Sequence, residues 1–305
     1  MIYQIYKMEF LNNVRFGKQS LNDINPTLYA DTLFSALYQE AMKLQKEDDF
    51  YQMVHTGNLI FSDGFPYQGK EYYLPKPYIR IEETDKKGNS KEKKKFKKLK
   101  YIPLNKLERY LKGETTAEEF EKEQELGYTG MKTSVAVRGK EEPEPYQVRY
   151  FTFEEGNGLY FLTKADTEEE VELLDELMMG LSYSGIGGKR HTGMGRFEYE
   201  RCDVPAILRT KIEAPSGKYM LLSTALPAEN ELEQVLEHAE YQLLKRSGFV
   251  ASEDYADLQM RKRDLYVFQS GSCFEKTFSG QIVDVSDAGR HPVYRYAMGI
   301  FVGVG

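Results

Sequence analysis

The sequence predicts an α+β protein made of two β-α-β-β-α-β modules, and three observations carry that prediction. Short runs with strand-like alternation flank stretches whose apolar residues recur every three or four positions, as on one face of a helix. The chain has 305 residues, more than one ordinary domain holds, which favours two packed domains. The order of elements is similar in the two halves, more clearly so in the first.

In the first half, MIYQIYKMEF at 1–10 alternates as a strand. A helix follows from Asp31 to Leu44, with Leu33, Leu37, Ala41 and Leu44 on one stripe and Asp31 placed either to cap it or to sit in its first turn. A short strand at 58–61 leads into a Gly- and Pro-rich stretch that predicts a loop. From about 82 to 147 the pattern changes to a lysine run, the short helix NKLERYLKG, an acidic helix and a Gly- and charge-rich stretch, which together read as an insertion. YQVRYFTFEE and LYFLT then predict a hairpin across Gly156-Asn157-Gly158. Asp166, with Glu169 three residues later, has the spacing of a helix cap ahead of the stripe Val171, Leu174, Leu177, Met178 and Leu181. A glycine loop and the strand RFEYERC complete a first, ferredoxin-like (RRM-like) domain over residues 1–204.

Residues 205–305 read as a second ferredoxin-like domain. GKYMLLSTALP predicts a strand, and 228–248 a helix striped by Leu232, Val235, Leu236, Ala239 and Leu243 with Gly248 as its C-cap. LYVFQSGSCFEKTF and QIVDV predict short strands, and HPVYRYAMGIFVGV a closing apolar one. The pattern places no second helix in this half.

Composition narrows the function. A net charge of -7 argues against generic adhesion to nucleic acid, yet the charge is strongly patterned. Between Lys86 and Lys100 stand nine lysines and one glutamate, followed by an acid-rich stretch from Glu114 to Glu125; charge blocks of this kind are ordinarily solvated surface. No apolar run approaches the roughly 18 residues of a membrane helix. The first ten residues lack the order of a secretory signal, and only Cys202 and Cys273 are present, so a reduced, cytoplasmic chain is expected. His55, His191, His238 and His291 have no zinc-like spacing. Neither a metal nor a cofactor is expected.

The stretch SGIGGKRHTGMGRFE at 184–198 is the strongest local signal. It is not a P-loop, because Gly188-Lys189 is followed by Arg190 and Tyr183 stands where the first glycine belongs. Nor is it a dinucleotide fingerprint, since Arg190 replaces the third glycine after Gly185 and Gly187. Both of those motifs run from strand to helix and hold phosphate at a helix N-terminus, whereas this loop runs from helix to strand. Gly185, Gly187, Gly188, Gly193 and Gly195 permit close backbone approach, and Lys189, Arg190 and Arg196 suit phosphates. His191 reads as a hydrogen-bonding member of the loop rather than a general base, because no companion acid or nucleophile can be named.

Together with ADTLFSAL at 30–37, FSDGFPYQGKEYYLPKP at 61–77, YMLLSTALP at 219–227 and HPVYRYAMG at 291–299, the loop gives the sequence its likeness. It resembles the RAMP superfamily of CRISPR-associated RNA-binding proteins and, within it, the fourth subunit of type III-A (Csm) effector complexes, which caps the crRNA 5′ handle. The resemblance implies two ferredoxin-like domains gripping that handle, in a non-catalytic subunit for antiviral defence. It further implies contacts with the large polymerase/cyclase-like Csm subunit and the first backbone RAMP subunit. A β-hairpin thumb that interrupts guide–target pairing, and so meets target RNA indirectly, is expected within 132–148 around Val135 and Arg138.

Splayed bases stacked on aromatic rings and phosphates held by cations suit single-stranded RNA. His291, Tyr294 and Arg295 form a second candidate cluster, or else a structural corner with Arg295 paired to an acid. Arg15 and Phe16 either face RNA or end the first strand. Two other functions compete. A crRNA-processing endoribonuclease of the related type commonly uses a histidine between its first strand and first helix, and residues 11–31 contain none. A protein-only scaffold would use the loop to dock a neighbouring subunit.

Overall fold

A computed structural model describes residues 1–16, 27–80, 90–121, 125–136, 144–252 and 254–305. The first half begins with β1 (Ile2–Phe10), α1 (Ala30–Leu44), α2 (Glu47–His55), β2 (Leu59–Phe61), β3 (Phe65–Gln68) and β4 (Glu71–Pro75). It continues with α3 (Ser90–Lys98), β5 (Tyr101–Pro103), α4 (Leu107–Leu111), α5 (Glu118–Glu121), β6 (Gly127–Ala136) and β7 (Glu144–Phe153). β8 (Asn157–Ala165), α6 (Glu168–Ser184) and β9 (Phe197–Asp203) close it. The second half contains α7 (Ala206–Glu213), β10 (Tyr219–Leu221), α8 (Glu229–Leu236), β11 (Leu243–Arg246) and β12 (Leu265–Phe268). β13 (Cys273–Phe274), β14 (Gly280–Asp284), β15 (Tyr294–Met298) and β16 (Phe301–Gly303) follow.

An antiparallel sheet in the order β5-β4-β3-β8-β1-β9, with β2 also on β8, forms the centre of the first half. β8 is buried along nearly its whole length, as suits its mostly apolar run between β1 and β3, and its buried Asn157 and Thr163 donate to the Leu126 and Gln4 carbonyls. The register sets Ile5 opposite both Leu162 and Cys202. Leu33, Phe34 and Leu37 of α1 share a core with Leu174, Leu177 and Leu181 of α6. That core crosses into the second half. Tyr296 stacks on Phe61 with ring centroids 4.5 Å apart, and its hydroxyl donates to the Phe61 carbonyl (2.8 Å) while accepting the Phe61 N–H (2.9 Å).

Several elements differ from the sequence expectation, each for a local reason. The stretch expected as a loop after residue 61 contains β3 and β4, which bury Phe65, Tyr67 and Tyr73 and turn at Gly69 with φ +58°. β7 does not pair with β8. It pairs instead with β6 over ten positions from Gly127↔Phe153 to Ala136↔Glu144, leaving the buried β8 to the central sheet. The cap of α6 lies one residue beyond Asp166, where Thr167 and Glu170 form a capping box.

The long helix expected over 228–248 stops at Leu236. His238 takes the left-handed region at φ +54°, and 243–246 becomes β11, whose Leu244 packs with Val267 and Ala297. The closing strand divides around Gly299 into β15, paired with β14, and β16, paired with β10. Parts of the expected insertion join the central architecture: β5 extends the sheet from β4, and Ile102, Leu107, Tyr110 and Phe120 lie in the main core. α7 has no counterpart in the sequence reading.

Candidate nucleic-acid interface

The glycine loop is a compact coil folded on the segment that leaves β1. The N–H groups of Gly188 and Gly195 donate to the carbonyls of Arg15 and Asn13, both at 2.9 Å, and Asn12 Nδ2 donates to the Gly193 carbonyl at 2.7 Å. Gly185, Gly187, Gly193 and Gly195 all have positive φ, where a side chain is strained. Three of these glycines are needed by the protein itself. A Cβ at Gly195 would stand 2.1 Å from the Ile186 carbonyl oxygen, one at Gly187 2.7 Å from that of Arg15, and one at Gly185 2.8 Å from that of Met194. Close approach, expected toward a ligand, is at these positions an approach to the chain's own backbone. Gly193 has nothing within 4 Å and Gly188 only ordinary contacts, so these two leave room for a partner.

The coil aims its cations in different directions. Lys189, itself left-handed at φ +63°, donates to the Tyr146 hydroxyl of β7 at 2.8 Å and lies 5.0 Å from that ring's centroid. This bond, before the smaller effect of the nearby positive charges, draws the Tyr146 pKa below its usual value. Arg190 donates to Gln39 of α1 at 2.9 Å. Arg196 and His191 are exposed.

Beside the coil lies a cleft of about 500 Å³ between the two halves. Arg15, Gly187, Gly188 and Arg190 form one side; Thr32, Ser35 and Gln39 of α1, Lys100, and Arg246 of β11 are among the others. Among the described residues its lining includes four cations and neither Asp, Glu nor His, in a chain whose net charge is -7. Arg246 lies 4.3 Å from the centroid of the Tyr29 ring and is fixed from behind by Asp31 at 2.6 and 2.8 Å. Burial alone would raise the Asp31 pKa, but the charges and hydrogen bonds of Arg246 and Arg295 override it and hold the group at about 2.

The remaining expected site residues divide. Arg15 and Phe16 both line the cleft, Phe16 largely buried and packed edge-on against Phe10 at 5.7 Å. Arg295 is buried and ion-paired with Asp31, the structural-corner alternative, because β15 is buried from Arg295 to Met298 and only Tyr294 at its start stays half-exposed. His291 and Tyr294 border a second cleft on the other side of α1. Within 132–148, residues 132–136 pair antiparallel with 144–148 as β6 and β7, with Val135 exposed; Arg138 lies outside the described residues. Thr32, Gln39, Lys100, Arg246 and Tyr146 are not among the expected site residues. Arg246 is hidden by the helical stripe and Lys100 by the lysine run, and nothing in the sequence joins Gln39 to Arg190.

Residues 214–304 match the family described as CRISPR Csm4 C-terminal domain, and residues 27–246 match the CRISPR-associated protein family Cas_Cmr3. The CRISPR system Cms protein Csm4 of Mycobacterium tuberculosis (strain CDC 1551 / Oshkosh) is 37% identical over 303 residues, covering 99% of this chain and 97% of that protein. The chain belongs to the Csm4 family. Its fold is also that of a chain in the crystal structure of the Csm3-Csm4 subcomplex of the type III-A CRISPR-Cas interference complex, with TM-score 0.67, 17% identity and 98% of each chain covered. A chain of the Csm1-Csm4 cassette crystallised with AMPPNP gives TM-score 0.65 and 21% identity, covering 99% of this chain and 98% of the other. Among the described residues, no helix is long and apolar enough to cross a membrane.

Proposed function

We propose that the chain is a non-catalytic, RNA-binding subunit of a type III-A CRISPR ribonucleoprotein that binds and caps the crRNA 5′ handle. The cleft beside the glycine loop carries this reading: it has four cations and no acid on its walls, the electrostatic requirement for gripping a phosphate chain. Hydroxyls and amides from Thr32, Ser35 and Gln39 supply polar groups that can read base edges or ribose.

The β1-α1-β3-β8-α6-β9 succession supports a ferredoxin-like reading of the first half. The β6–β7 hairpin is the proposed thumb at the junction of guide and target. By likeness to Csm4 chains crystallised with Csm3 and with Csm1, the subunit anchors the first backbone subunit and the large subunit. The non-catalytic reading rests on residues 11–31, where related endoribonucleases commonly place a histidine and this sequence has none.

The deciding experiment measures binding of repeat-derived 5′-handle RNA to the chain assembled with its cognate Csm1 and Csm3, as a function of salt. Lys189→Ala/Arg190→Ala should weaken binding and reduce the slope of log K against log salt by roughly 1.4, about 0.7 for each single-strand phosphate no longer neutralised. An unchanged slope with intact assembly would favour a protein-only scaffold. Cleavage of the RNA that His191→Ala abolishes would establish an enzyme instead.

A further inference from the structure

A second cleft, about 780 Å³ in volume, lies between α1, α2 and the segments around 250–262 and 291–294. It shares Ser35 and Gln39 of α1 with the first cleft, so the two hollows meet across one helical ridge. The walls suit a planar, partly charged ligand. Tyr38 and Tyr294 are half-exposed and meet edge to face at 6.1 Å, and Tyr51 braces Tyr294 from 4.4 Å. Pre-set rings lose little freedom when a base stacks on them.

Two polar groups on these walls lack partners. The Lys262 amine has no hydrogen bond or ion pair among the described residues, although it borders the cleft. Burial, and then the charge of Arg295, push it down to about 8, marking a cation short of neutralising anions. Glu47 Oε2 is buried with no hydrogen-bond partner, an arrangement that costs free energy until a donor arrives. Glu47, Asp48 and Asp254 border the same cleft, so it is not a second phosphate track; of its two lysines Lys43 is paired with Glu40, which leaves Lys262 for an anion, and the carboxylates suit amine donors.

We propose that the second cleft is a single-nucleotide pocket: one nucleotide of the RNA leaving the first cleft crosses Ser35 and Gln39, seats its base in the corner made by the near-perpendicular Tyr38 and Tyr294 rings, face against one and edge against the other, and sets its phosphate at Lys262. The Glu47 carboxylate accepts from the base's exocyclic amine, which selects adenine, cytosine or guanine over uracil. This inference rests on the RNA-binding reading of the first cleft.

The test uses the assembled complex with handle RNAs carrying 2-aminopurine at one position at a time. One position should show strong stacking quench. Tyr294→Leu and Tyr38→Leu should each relieve that quench alone and weaken binding about tenfold, whereas Tyr294→Phe keeps it. Lys262→Gln should weaken binding about fivefold, and uridine at that position should bind more weakly than the other bases. If Arg190→Ala still weakens binding but no position responds to either Tyr variant and Lys262→Gln stays within twofold, the pocket is refuted and RNA binding by the first cleft stands. If the assembled wild-type complex binds no handle RNA, both readings fail. Equal affinity for all four bases would remove the Glu47 contact.

Discussion

Asp31 of α1 and Arg246 of β11 form a two-pronged ion pair across the halves of the chain, with Nε–Oδ2 at 2.8 Å and Nη2–Oδ1 at 2.6 Å. Arg295 of β15 approaches the same carboxylate. The pair joins the halves and also orients a cation of the first cleft. Planar guanidinium groups held on both oxygens have little rotational freedom, so Arg246 is presented ready-positioned.

Removing the acid should therefore cost more than one bond. Asp31→Ala leaves two buried guanidinium groups facing each other without their counter-charge, and breaking a buried pair in this way costs about 3–5 kcal/mol. Urea unfolding at neutral pH is the measurement. A loss below about 1 kcal/mol would show that the triad is solvated and does not fasten the halves.

Stability should depend on pH through two buried carboxylates of opposite sign. Burial pushes Asp63 up to about 6, against the bonds it accepts from the Ala30 N–H and from Thr224. Because the folded state then holds the proton more tightly, stability falls as pH rises from about 3.8 to about 6, by roughly 3 kcal/mol at 1.36 kcal/mol per unit. Asp31, held at about 2, acts in the other direction: its contribution is full above about 3.8 and is lost as pH falls toward 2. Asp63→Asn keeps an acceptor oxygen but cannot titrate, so unfolding curves between pH 4 and 6 should flatten in that variant.

The loop glycines should separate into two groups. Gly195→Ala meets the Ile186 carbonyl oxygen at 2.1 Å with φ +80°, and backbone cannot yield cheaply, so a loss of about 3 kcal/mol and a deformed coil are expected. Gly193→Ala, in open space at φ +88°, should cost only about 1–2 kcal/mol of left-handed strain. Thermal unfolding of the two variants side by side decides between them. Equal losses would mean that the coil relaxes.

Lys189 couples the coil to the hairpin through Tyr146. Tyr146→Phe removes the hydroxyl and keeps the ring, so handle affinity should stay within about twofold while amide exchange in β6 and β7 speeds up. Lys189→Ala should reduce affinity and loosen the hairpin together. Hydrogen exchange with and without RNA reads both effects, and unaltered exchange in both variants would show that the hairpin is held by the Val14–Phe151 bridge rather than by this contact.

Elements with a strong one-dimensional pattern were legible. β1, α1 and the stripe of α6 follow from periodicity because burial of one face demands it, and the failed phosphate motifs located the glycine loop between helix and strand. Where two patterns compete, tertiary pairing decided. The 243–246 stretch fits a helical stripe, but β12 offers it a hydrogen-bonded ladder, and Leu244 gains a buried seat only as a strand. Asp31 illustrates the same limit. Sequence spacing put it at the start of α1 as a cap or a first-turn acid; the structure places it in the first turn, and the group that binds the Ala30 N–H is Asp63, from a loop 33 residues away.

The sequence by itself determined the α+β class, the glycine coil with its cations and the likeness to the Csm4 family, since each depends on residue type and short spacing. Only the tertiary structure decided what those parts face. It turned most of the glycine requirement inward onto the Arg15 and Ile186 carbonyls, withdrew Phe16 and Arg295 into the core, and assembled an acid-free cationic cleft from Arg15, Lys100, Arg190 and Arg246. The reason is physical: a local pattern fixes which groups a segment can bury, but a cleft's charge is the sum over segments far apart in the chain, and that sum exists only once the halves have packed.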